Sequence, residues 1–142
     1  MYIILETISR FVIYILSYDV WFYISHLALH TKTLFNSIHY IHHTPNYTQM
    51  TYKSAYVGHY FESLFQSLGT FFPIIFINFD LMELFCVIVF LNIRGMLRHD
   101  FRLTWLIGNH HILHHKYPYC NYGEYYLDYL FNTHYKKNIS KL

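Results

Sequence analysis

The chain has 142 residues, 54% hydrophobic and only 13% charged, with 12 histidines against 10 Lys and Arg together. That is one domain's length, and the charged fraction is about half the roughly 25% of a soluble domain. A formal charge of +2 without a Lys/Arg stripe excludes a nucleic-acid binder, and Cys86 and Cys120, one in an apolar run and one in a polar tail, read as free thiols rather than a disulfide framework.

Residues 2–30 form one long apolar and aromatic segment, which predicts a helix long enough to cross a bilayer. It lacks a basic start and a small-residue cleavage site, so it reads as a retained helix and not a signal peptide. Glu6 and Arg10 stand i,i+4 on it and are expected to pair. A second helix is expected over about 33–44, stopped by Thr44-Pro45-Asn46, and residues 45–54 read as a loop. The apolar block from Leu64 to Leu97 reads as a helical hairpin turning at Asn78-Phe79-Asp80, its first arm bent by Gly69 and Pro73. An amphipathic piece carrying His110 to His115 follows Arg102, and the tail from Pro118 is polar and rich in Tyr.

Charge sets an expected orientation. Lys32, Lys53, Arg94, Arg98, Arg102, Lys116, Lys136, Lys137 and Lys141 flank the histidine-bearing segments, whereas the hairpin turn carries Asp80 and Glu83. The positive-inside rule then places the histidine side in the cytosol. Two formal glycosylation sequons, Asn46-Tyr47-Thr48 and Asn138-Ile139-Ser140, would stay unmodified in that orientation.

The histidines are clustered. His26 and His30 make H-x3-H, and H-x2-H-H occurs twice, at His39, His42 and His43 and at His111, His114 and His115. Positions i, i+3 and i+4 share one helical face, so each cluster is expected to aim at a single point. Imidazole is neutral near pH 7 and still a good ligand for a transition metal. Eight imidazoles exceed the four ligands of a tetrahedral zinc and suit two ions. His59, in H-Y-F-E with Glu62, and His99, in R-H-D with Asp100, fit a ligand or a polar supporting residue equally well on the residues alone. His110 points away from His111 on a helix, and His134 reads as solvated. A zinc protease needs Glu beside the first His, where this chain has Leu27, Tyr40 and Ile112. The E-x-x-H pairs of di-iron carboxylate bundles are absent as well. A histidine-rich metal transporter would need a polar path through the bilayer, and the hairpin offers almost none.

From about Tyr18 to Lys136 the chain resembles the fatty acid hydroxylase superfamily, which includes sterol desaturases and sterol methyl oxidases. The resemblance rests on D-V-W-F-Y-I-S-H-L-A-L-H, H-Y-I-H-H, H-Y-F-E, R-H-D and H-I-L-H-H-K-Y-P-Y-C-N-Y-G-E-Y-Y-L-D in that order, with the sterol desaturase branch looking nearest. Leu27, Tyr60 and Asn132 depart from the usual Arg, Pro and Gly. The resemblance implies two non-haem iron ions, O2 as co-substrate, a membrane lipid substrate, a cytochrome b5 type electron donor and residence in the endoplasmic reticulum. It implies His59 and His99 as further ligands. Attack on an unreactive C–H bond is beyond side-chain acid–base chemistry and fits a metal cofactor. The expected fold is therefore all-α: one membrane-integral domain over 1–142, anchored by the first helix and the hairpin, with a cytosolic histidine-rich cap holding two metals. Relatives carry further N-terminal apolar helices, so the domain reads as short. The competing expectation is a catalytically inactive membrane protein that keeps the metal site as a structural element.

Overall fold

The computed structural model describes residues 2–137, and the second sequon at Asn138 lies outside them. Among the described residues the regular structure is helical, without strands. Helix α1 spans Tyr2–Leu29. Its segment Ile4–Leu29, of mean hydropathy 1.4, is the one described helix long and apolar enough to cross a membrane. Helices α2 (Lys32–Ser37), α3 (Tyr60–Ser67), α4 (Leu81–His99), α5 (Thr104–Ile107), α6 (His110–Lys116) and α7 (Tyr125–Leu130) follow, with short 3-10 turns between them.

The axis of the molecule is the pair α1 and α4. Tyr14, Leu84, Val87 and Leu91 form its buried core, with Phe11, Tyr18 and Ile88 against it. Two sets of ion pairs register the helices. Arg10 joins Glu6, as the i,i+4 spacing predicts, and also reaches across to Glu83 at 2.5 Å. Further along, Asp19 pairs with Arg94. Both partners advance together, Arg10 with Glu83 and then Asp19 with Arg94, so α1 and α4 run parallel. Their C-terminal ends, carrying His26 and His30 on one and His99 on the other, therefore meet at the same end of the molecule.

The chain between these helices differs from the expected hairpin arm. Helix α3 ends at Ser67, and the rest is 3-10 turn, at Leu68–Thr70 and Phe72–Ile75. Pro73 lacks an amide proton for a continuing α-helix. Gly69 has a tighter reason. A Cβ there would lie 2.5 Å from the Trp21 Cβ and 3.0 Å from the Tyr18 backbone. The absent side chain lets this arm lie directly on α1, where Ser17 Oγ donates to the Gly69 carbonyl at 2.7 Å and Trp21 Nε1 to that of Phe65 at 2.6 Å. Asp80 then starts α4 by accepting from the amides of Met82 and Glu83.

Large apolar side chains remain exposed over much of the surface, including Ile4, Phe76 (83%), Leu81 and Phe85. An apolar surface of that extent suits lipid rather than water. Cys86 and Cys120 are both free thiols, the first exposed and the second buried.

Candidate metal centre

Four stretches deliver histidines to the common end of α1 and α4. The first is the end of α1, with His26 in its last turn and His30 just past it, the His30 amide still bonded to the His26 carbonyl. The second departs from expectation. The helix predicted over 33–44 stops at Ser37, because Ile38 leaves helical geometry (φ −130°, ψ −61°), and His39–Ile41 form a 3-10 turn. The third is His99 in the last turn of α4. The fourth is α6, which follows a break at Gly108, whose φ of 81° favours glycine.

These side chains gather into two groups. His26, His30, His39, His43 and His114 form the first, and His42, His99, His111 and His115 the second. Within each, the potential ligand atoms all lie within 4.8 Å of one another. Each H-x2-H-H cluster is thus divided between the groups, whereas its spacing predicts a single target. His43 and His114 face the first group, and their neighbours His42 and His115 face the second. Adjacent residues on a turn point about 100° apart, so a consecutive His pair reaches two centres rather than one.

The Nε2 atoms make the spacing informative. In the first group His26–His39 and His30–His39 stand at 3.0 Å, His30–His114 and His39–His43 at 3.1 Å, and His43–His114 at 3.2 Å. In the second group His42–His99 stands at 3.1 Å and His99–His111 at 3.0 Å. Separations this short let the ligand atoms of each group converge on one ion. Both ring nitrogens of buried His115 lack any protein partner, as an unclaimed ligand would.

The outer nitrogens explain the aim. His26 Nδ1 lies 2.5 Å from the carbonyl oxygen of Tyr122, His114 Nδ1 2.6 Å from that of Cys120, His42 Nδ1 2.7 Å from that of Val57 and His99 Nδ1 2.7 Å from that of Gly95. A carbonyl only accepts, so each of these rings carries its proton on Nδ1 and presents a bare Nε2 inward. Buried Glu62 places Oε1 3.0 Å from His39 Nδ1, off the axis of an aligned hydrogen bond. Burial and neighbouring imidazoles push His42, His111, His114 and His115 below the ordinary histidine value, and bring His43 to about 2. The rings are neutral at physiological pH, with lone pairs available to metal.

His59 stands apart from both groups, unlike the other nine histidines expected as ligands. It caps α3 instead, its Nδ1 accepting from the Phe61 amide at 3.1 Å, with its ring stacked on Tyr60. His99, by contrast, is a full member of the second group. His110 is outside the groups and contacts Asp128 Oδ2 at 2.9 Å. His134 is half-buried against Tyr129 rather than freely solvated. The carbonyls that orient the rings leave no mark in the sequence, since a backbone oxygen has no residue identity.

A cavity of about 400 Å³ opens beside the groups. His26 lines it from the first group and His42, His99 and His111 from the second, while Tyr18, Phe22, Phe71, Ile88 and Leu91 supply apolar wall. Its size is that of a pocket for a small organic ligand or part of a larger one.

Comparison with known proteins agrees with this arrangement. The fatty acid hydroxylase family profile matches residues 11–133, which include every histidine of both groups. The match picks out no branch within the family. No curated protein and no solved structure matches the chain. With that profile spanning most of its length, the chain belongs to the fatty acid hydroxylase family.

Proposed function

We propose that the protein is an O2-dependent, non-haem di-iron oxidoreductase that hydroxylates or desaturates a sterol or fatty-acyl lipid in the membrane. One observation carries the reading: two separate sets of gathered imidazoles stand beside one cavity with an apolar wall. A structural metal site needs no such cavity, and a lipid-binding protein needs no such ligands.

His26, His30, His39, His43 and His114 would hold one iron, and His42, His99, His111 and His115 the other. When bound, an iron pair would activate O2, which supplies the oxidising power that C–H chemistry needs. The protein does the rest. Backbone carbonyls hold four of the rings with Nε2 inward. The walls of Phe22, Phe71, Ile88 and Leu91 take an alkyl or ring system out of water and lay it along α1 and α4, beside the histidines. The exposed apolar surface lets a lipid arrive from the bilayer without crossing water. Electrons come from a cytochrome b5 type donor, the histidine side faces the cytosol, and the endoplasmic reticulum membrane is the location. Within the family, the sequence looks nearest the sterol desaturase branch.

Expression in a lipid-producing host, followed by lipid profiling, tests the reading. Wild type supplied with a competent electron donor should add one hydroxylated or dehydrogenated lipid, and His114→Ala/His115→Ala should add none, having lost one ligand from each group. Lipid profiles identical to empty host, from wild type carrying its full metal, would refute it.

A further inference from the structure

Asp128 is fully buried and belongs to neither histidine group. Its carboxylate faces four donors. Oδ1 accepts from the Tyr122 amide at 2.8 Å and the Thr133 hydroxyl at 2.7 Å. Oδ2 accepts from the Gly123 amide at 2.8 Å and lies 2.9 Å from His110 Nε2. Burial alone would raise its pKa. The hydrogen bonds from His110, Thr133 and Gly123 outweigh that and leave it below the ordinary carboxylate value. The group is therefore an anion at neutral pH, holding two consecutive amides of one turn.

That turn is Cys120–Gly123, and its two outward carbonyls have a common use. Cys120 oxygen takes the Nδ1 proton of His114, and Tyr122 oxygen takes that of His26. The two rings come from α6 and α1, yet they belong to the same group. Other features hold the turn in the same place. Asn121 sits at φ 58°, its Nδ2 donates to the His110 carbonyl at 2.9 Å, and its amide donates to the Thr133 carbonyl at 2.9 Å. A Cβ on Gly123 would come within 2.9 Å of the Tyr23 ring, so the turn lies directly on α1, about one helical turn before His26. Thr133 Oγ1 also reaches the Tyr23 hydroxyl at 3.1 Å.

The second group is oriented from elsewhere, by the carbonyls of Val57 and Gly95. We propose that Asp128 is a positioning residue for the first metal group alone, acting through the Cys120 and Tyr122 carbonyls on His114 and His26. The inference rests on the reading of the two histidine groups as metal sites. It divides the supporting structure in two: a carboxylate-braced turn for one ion, and carbonyls of α4 and the 57–58 loop for the other.

Metal per chain in the purified full-length protein, loaded with Fe(II), tests it in two backgrounds. His115→Ala removes a ligand of the second group and should leave about one metal, and His30→Ala does the converse. Adding Asp128→Asn should take the His115→Ala protein from about one metal to none and leave the His30→Ala protein at about one. The Asn amide sets an N–H against donors that need an acceptor, while its volume is nearly unchanged. If Asp128→Asn does not fold, Thr133→Val serves in its place, removing one of the four donors. It should speed chelator-driven metal loss at least several-fold in the His115→Ala background and not in the His30→Ala background. Equal loss in both backgrounds, as a general structural role would give, overturns the proposal, and so does no loss in either. Wild type that binds no metal refutes the metal-centre reading itself, and this inference with it.

Discussion

A consecutive pair of histidines on one turn cannot serve one ion equally, and this chain uses the consequence twice. His42 and His43 face different groups, as do His114 and His115. That these histidines gather is largely legible in the sequence, because H-x3-H beside two H-x2-H-H clusters is rare by chance. Their division is not, since it depends on the direction of each Cα–Cβ bond in the assembled cap. His59 differs for a related reason: its nearness to Glu62 in sequence suggests the centre, but its ring is turned back onto the Phe61 amide. His59→Ala should therefore keep the wild-type metal content and lose only a helix cap, a cost of about 1 kcal/mol. His115→Ala, which takes one imidazole from the second group, should lose about one metal. Metal analysis beside thermal inactivation separates the two effects. Loss of metal at His59→Ala would return that residue to the ligand set.

At the scale of elements, the long first helix is readable from its apolar run, and the Glu6–Arg10 pair from its spacing. The second histidine segment and the arm after α3 are not. Both have helical composition, and both are broken by tertiary demands. Ile38 leaves the helix so that His39 can turn towards α1, and the arm after Ser67 tightens into 3-10 turns as Gly69 meets Trp21 and Tyr18. Asn132 is likewise set by local backbone geometry. It adopts φ 59°, a conformation that suits Gly best and Asn next, which is why the departure from the usual Gly is tolerated. The parallel pairing of α1 and α4 is equally hidden, because it is set by contacts 73 to 75 residues apart, Arg10 with Glu83 and Asp19 with Arg94. The arm's close approach yields a direct test. Gly69→Ala should destabilise the protein by about 1–3 kcal/mol through overpacking against the α1 backbone, read as earlier thermal inactivation in detergent. A variant as stable as wild type would show that the two segments separate easily.

For the whole molecule, the parallel helices bring two histidine-bearing ends to one place, where the 39–43 turn and α6 add the remaining histidines. The cavity with its apolar wall then lies beside the gathered imidazoles. Composition announces both halves, an apolar body and excess histidine, but not how they join. On the proposed reading, the histidine groups hold two irons, one in each. Iron per chain in purified protein tests it most directly, compared among wild type, His30→Ala, His99→Ala and the double variant. Two separate sites would give about two irons in wild type, about one in each single variant and none in the double. A wild type with no iron, or the same iron content in all four proteins, would contradict it.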